Sequence, residues 1–158
     1  LIGDRDVPEK LLQGEPMAYD YGNGVQLLED LVVDESDKAL FPTISVGHRL
    51  LYGVITFAAS SQAGDRSIRF DVRDAGGAIM YGITSPVVQA EDLTRQYLLA
   101  PNGTREAAFV GTAITLPLPP EMVILPGWNF HIFDVADIDD GVDDMTVRVM
   151  LANLNHVR

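Results

Sequence analysis

The stretch PLPPEMVILPGWNFHIFDVADIDDGVDDMTVRVML, residues 117–151, decides the fold. Trp128, Phe130 and Ile132 alternate with Asn129 and His131, and Met145, Val147, Val149 and Leu151 alternate with Thr146 and Arg148. Successive side chains of a strand point to opposite faces, so each run predicts a strand with one core side. The two runs are expected to pair as a β-hairpin. Between them, DVADIDDGVDD is too polar and too short to bury anything. It reads as a solvated connection or a short helical turn, with Gly141 as the expected positive-φ residue.

The same alternation recurs upstream. Ile68, Phe70 and Val72 alternate with Arg69, Asp71 and Arg73, the tetrad Asp74-Ala75-Gly76-Gly77 supplies turn glycines, and Ile79, Tyr81 and Ile83 resume the pattern. Residues 67–84 therefore predict a hairpin with a charged solvent face. RLLYGVITFAA (49–59) is apolar on both faces, which predicts a central strand covered on both sides. Gly53 within it marks a bulge or a close approach by another chain. Further strands are expected at 25–33, 94–100, 105–118, where Pro117, Pro119 and Pro120 stop the pairing, and 122–125. About eight or nine strands, regular turn signals and no long 3.6-period segment predict an all-β fold, an antiparallel β-sandwich of jelly-roll-like form.

Two regions are expected. Residues 25–158 form the sandwich domain, and residues 1–24, rich in Gly, Pro and acidic side chains without a sustained period, form an irregular N-terminal arm. Leu11, Leu12, Met17, Tyr19 and Tyr21 give that arm apolar anchors for docking on a neighbouring subunit.

Composition narrows the function classes. Eleven Lys and Arg face 23 Asp and Glu, a net charge of −12, which disfavours direct binding to nucleic acid or to an anionic membrane. With no cysteine there is no disulfide, thiolate nucleophile or Cys-ligated zinc. No apolar run approaches the roughly 20 residues needed to span a bilayer as a helix.

Tests for chemistry come out negative. The three histidines, His48, His131 and His156, lack the two-His-plus-carboxylate spacing of a metal oxygenase. His131 and Asp134 have opposite strand parity and so face opposite sides. There is no G-x-S-x-G elbow, P-loop or G-x-G-x-x-G. Asp134, Asp137, Asp139, Asp140, Asp143 and Asp144 crowd residues 134–144, but counting from Asp137 the glycine falls at the fifth position and Arg148 at the twelfth. An EF-hand needs Gly at the sixth and a bidentate Glu at the twelfth. The expectation is no catalytic residue, no cofactor and no metal. Asp137, Asp139, Asp140 and Asp143 join the arm anchors as candidate interface residues.

The segment LPGWNFHIFDVADIDDGVDDMTVRVML resembles the C-terminal strands of small β-sandwich structural proteins of tailed-phage virions. The resemblance rests on Pro126, Gly127, Trp128, Asp134, Ile138, Asp139, Asp143, Asp144, Met145 and Val147. It implies a non-enzymatic decoration, cement or adaptor subunit at the capsid surface or neck. Its partners would be the major capsid protein or neighbouring virion subunits, and the chain would be a homo-oligomer. A carbohydrate-binding or other ligand-binding β-sandwich module is the alternative, with Tyr52, Tyr81, Tyr97 and Trp128 as candidate platform aromatics. A non-catalytic domain of an enzyme is a third reading.

Overall fold

The computed structural model describes residues 17–20, 24–33, 37–139 and 141–156. They form eleven strands and a terminal 3₁₀ turn at Leu154–His156: β1 (Met17–Asp20), β2 (Val25–Asp30), β3 (Lys38–Leu40), β4 (His48–Ala58), β5 (Ile68–Arg73), β6 (Ile79–Thr84), β7 (Thr94–Pro101), β8 (Ala113–Leu118), β9 (Val123–Ile124), β10 (Asn129–Asp134) and β11 (Asp144–Asn153). The larger sheet runs β1-β2-β11-β4-β7-β8, with β9 added to β4, and the smaller runs β3-β10-β5-β6. The expected β-sandwich is therefore present. Eight of its strands make four nested antiparallel pairs, β2 with β11, β3 with β10, β4 with β7 and β5 with β6. The pairs close first strand on last and work inward, which is jelly-roll connectivity.

The alternation read from the sequence places the core. Ile55 and Phe57 of β4, Tyr97 and Leu99 of β7 and Val147 and Val149 of β11 face Phe70, Val72, Phe130 and Ile132 of the smaller sheet, all at most 1% exposed. The Phe70 and Phe130 rings stack 5.7 Å apart. A buried ion pair joins the sheets where β2 crosses to β3: Lys38 Nζ lies 3.3 Å from Asp30 Oδ1 and donates to the Val32 carbonyl at 2.8 Å.

Several sequence expectations are corrected. The two C-terminal runs are strands but not a hairpin, because β10 belongs to the smaller sheet and β11 to the larger, so the acidic stretch is a crossover. Part of the supposedly irregular arm is regular: β1 pairs antiparallel with β2, Met17 opposite Glu29 and Asp20 opposite Gln26. The strand expected at 105–118 begins only at Ala113, and it runs parallel to β7. Positive φ in the crossover falls on Asp137 (51°) and Asp139 (52°), not on Gly141. The close approach at Gly53 comes from the chain itself: a Cβ there would lie 2.8 Å from Leu99 Cδ1 and 3.1 Å from the Arg148 carbonyl. A bulge is also present in β4, two residues before Gly53: Leu51 is passed over where the register against β11 shifts between Met150 and Leu151.

Candidate functional site

The acidic crossover is built around a buried arginine that sequence reading passed over. Arg66 is fully buried, and each of its five N–H groups has an acceptor. Nε donates to Asp143 Oδ2 at 3.0 Å and Nη2 to Asp143 Oδ1 at 3.1 Å and Ser60 Oγ at 3.0 Å. Nη1 donates to the carbonyls of Gln62 at 2.7 Å and Gly64 at 2.6 Å. The Ser60 hydroxyl in turn donates to Asp139, and the Ser60 N–H donates to Asp143 at 2.7 Å. The loop after β4 and the crossover before β11 are thereby clamped together. Gly64, at φ +140°, is packed so tightly on Ile138 that a Cβ would lie 2.5 Å from its Cδ1.

The electrostatics follow from burial and pairing. Burial alone would push the Asp143 carboxyl up, but hydrogen bonds from Arg66 and Ser60 outweigh it and hold it below the usual carboxylate range. The hydrogen bond to Asp143 raises the Arg66 guanidinium further, against the opposing effect of burial. Asp134 is also committed, accepting from the backbone N–H groups of Ser67 at 2.7 Å, Ala136 at 3.0 Å and Ile138 at 3.3 Å.

The candidate interface residues separate accordingly. Asp143 is 0% exposed and bonded to Arg66, so it is not presented to a partner. Asp139 is half-buried and bonded to Ser60, while Asp137 is exposed. Met17 and Tyr19 lie in β1. Leu11, Leu12, Tyr21 and Asp140 fall outside the described residues. The expectation of a wholly solvated acidic tip is therefore corrected: Asp134, Asp139 and Asp143 are structural, and the signal available in the sequence was Arg66, the one cation of its loop.

Among the described residues, no group of three or more His, Asp or Glu side chains is placed to hold a metal ion. His48 is buried with Nδ1 2.9 Å from the Val46 carbonyl. His131 sits on the outer side of the smaller sheet opposite Asp71, itself paired with Arg69 at 2.6 Å and Arg73 at 3.3 Å. Burial and the Arg73 charge lower the His131 pKa, with Asp71 opposing them. The His131 and Asp134 side chains lie on opposite faces, as parity requires.

Of the four candidate platform aromatics, Tyr97 is fully buried, with its hydroxyl donating to Gln89 at 2.8 Å. Tyr81 is half-buried and donates to the Pro117 carbonyl at 2.8 Å, and Trp128 packs on the core edge. Only Tyr52 is exposed, at 44%. It lines a groove of about 340 Å³ on the outer face of the larger sheet with Leu31, Val54, Thr56, Gln96, Thr146 and Arg148. Arg148 pairs there with Glu29 at 2.8 Å. A second apolar surface gathers around Gly47, where Leu154, Val123 and Leu125 come within 4 Å of a Cβ position and are themselves exposed.

The sheet edges offer less. Beside β8, the Glu106 carboxylate accepts from the Thr115 N–H, and Pro117 removes a donor. Opposite β6 the register shifts at Val72/Arg73, and β3 has only three residues. Short strands, bulges, prolines and covering side chains are the devices that block edge-to-edge pairing. The β8, β6 and β3 edges are thus blunted against pairing. Comparison with protein-family models, with curated proteins and with solved structures finds no match.

Proposed function

We propose that this chain is a non-enzymatic structural subunit of a tailed-phage virion, decorating or cementing the capsid shell or its neck through contacts of an oligomeric β-sandwich. The observation that carries the reading is the nested pairing of β2 with β11 through β5 with β6, since jelly rolls serve as capsid and lectin domains. The sequence pattern from Pro126 to Val147 adds to it. The exposed apolar cluster of Val123, Leu125 and Leu154 supplies a contact surface, and the blunted β8, β6 and β3 edges disfavour open-ended strand pairing there. The test is light scattering over a concentration series, with co-sedimentation on assembled capsids of the source particle. A defined oligomer, or saturable binding to the shell that Leu125→Asp weakens, is expected. A monomer at every concentration with no capsid binding rejects the proposal.

The lectin side of the same architecture gives a second reading. Tyr52, Gln96 and Arg148 share one groove, an aromatic face beside polar donors, which is the chemistry that holds a sugar ring. Glycan-array binding that Tyr52→Ala removes without lowering the melting temperature would favour this reading over assembly.

A further inference from the structure

We infer that the groove on the outer face of the larger sheet takes an uncharged saccharide, a single pyranose or a disaccharide, and discriminates against sugars that carry a carboxylate. The inference rests on the sugar-binding reading of that groove and adds the class of ligand. Three observations carry it.

The first is a row of uncommitted polar side chains. Thr146 of β11 stands opposite Thr56 of β4, and Thr56 opposite Gln96 of β7, so two hydroxyls and an amide line up across three adjacent strands. At about 4.8 Å per strand the row spans about 10 Å, comparable to two linked sugar rings. None of these three side chains has a hydrogen-bond partner among the described residues. Each can both donate and accept, and none ionises, which suits a ligand made of hydroxyls. Strand propensity alone accounts for threonine on an outward face. It does not account for the contrast with the smaller sheet, whose outer face satisfies itself, Arg69 and Arg73 both pairing with the buried Asp71.

The second is an apolar wall beside that row. Val54 and Tyr52 precede Thr56 at alternate positions of β4, share its face and line the same groove. A pyranose is divided in the same way, with hydroxyls around its rim and C–H groups on its faces, and an aromatic side chain with a polar tip covers such a face. The groove, at about 340 Å³, lies at the lower end of small-molecule sites, which limits the ligand to one or two rings.

The third is charge. Among the described residues that line the groove, Arg148 is the one charged side chain, and its Nε lies 2.8 Å from Glu29 Oε1. A sugar carboxylate brought to Arg148 therefore meets Glu29 as well, on a chain of net charge −12. A neutral hydroxyl accepts from the remaining guanidinium N–H groups without that repulsion.

The test is an amide chemical-shift titration of isotope-labelled full-length protein. The probes are methyl glycosides of glucose, galactose and mannose, as single rings and as disaccharides, each beside the corresponding uronic acid. A neutral glycoside that shifts the Thr56, Gln96 and Thr146 amides, and whose uronic acid binds at least about fivefold more weakly, is expected. Thr56→Val/Thr146→Val keeps shape and strand propensity while removing both hydroxyls, and should weaken the neutral sugar about tenfold at an unchanged melting temperature. A uronic acid that binds as tightly as its neutral parent overturns the inference and leaves sugar binding standing, as does an unchanged affinity in the double variant. Shifts confined to other surfaces, or none with any probe, overturn both.

Discussion

Replacing Arg66 with alanine tests whether the buried clamp holds the acidic crossover to the loop after β4. The substitution removes five donated hydrogen bonds and leaves Asp143, whose side chain is 0% exposed, with only Ser60 as a partner. Breaking a buried pair by deleting one partner costs about 3–5 kcal/mol, since the remaining charge stays buried without compensation. For a chain of this size that lowers the melting temperature by about 6–20 °C. The pH dependence adds a sign. In the parent, the folded-state pKa of Asp143 lies below its unfolded value, so its contribution is complete above about pH 4 and is lost as pH falls through the folded pKa. In Arg66→Ala, burial acts unopposed by the guanidinium and the Asp143 pKa rises, so the stability gap to the parent is widest near neutral pH and narrows toward pH 3. Urea unfolding of both proteins at pH 7 and pH 3.5 measures it. The double variant Arg66→Met/Asp143→Leu should recover most of the loss, because apolar replacement of a whole buried pair is often neutral. A loss below about 1 kcal/mol at pH 7, typical of exposed pairs, would refute the clamp.

Gly53→Ala should destabilise by about 1–3 kcal/mol, as its methyl overpacks Leu99 and the Arg148 carbonyl, and the urea midpoint reports this directly. Trp128→Ala should cost about 1–3 kcal/mol, less than the roughly 3–5 kcal/mol of a fully buried aromatic, because the indole packs on the core edge; a larger loss in thermal unfolding contradicts this placement. Millimolar calcium should leave the melting temperature unchanged, since Asp134, Asp139 and Asp143 already serve Ser67, Ser60 and Arg66; a rise of many degrees, abolished by Asp139→Asn, shows otherwise. Far-UV circular dichroism should lack helical minima, as the one helical element among the described residues is a single 3₁₀ turn.

Local chemistry made some of the fold legible and hid the rest. The β5–β6 hairpin was readable because its turn sits between two runs of clear alternation: Asp74 accepts from the N–H groups of Gly76 and Ala78, and Gly77 takes φ +85°. Parity in β10 and β11 correctly named Phe130, Ile132, Val147 and Val149 as core. Which strand those runs pair with is a long-range matter, since either sheet satisfies the same alternation, and so a crossover looked like a hairpin. The parallel β7–β8 pairing was hidden for a related reason, as the Pro101-Asn102-Gly103 turn signals reversal, while the chain loops back through Val110 before pairing. In the acidic stretch, composition indicated solvent. The deciding residue, Arg66, lies 77 positions from Asp143, where no window of local reading can see it. Tyr52 was legible as a candidate aromatic, but the groove around it draws on three strands and a loop and has no contiguous signature.

The nested strand pairing also sets the order in which the protein can form on the ribosome. β11 lies between β2 and β4, with Val25 opposite Ala152 and Gly53 opposite Val149. Until residues 144–153 have left the exit tunnel, the larger sheet is split, with β2 and β4 each exposing an unpaired edge and an apolar face. The smaller sheet, complete once Asp134 has emerged, has no facing layer to close its core. Folding of the sandwich must therefore wait until β11 has emerged. Closure of so distant a pair makes it slow, in the millisecond-to-second range typical of all-β domains. During that wait the nascent chain exposes hydrophobic strands to its neighbours, while its net charge of −12 makes unfinished copies repel one another.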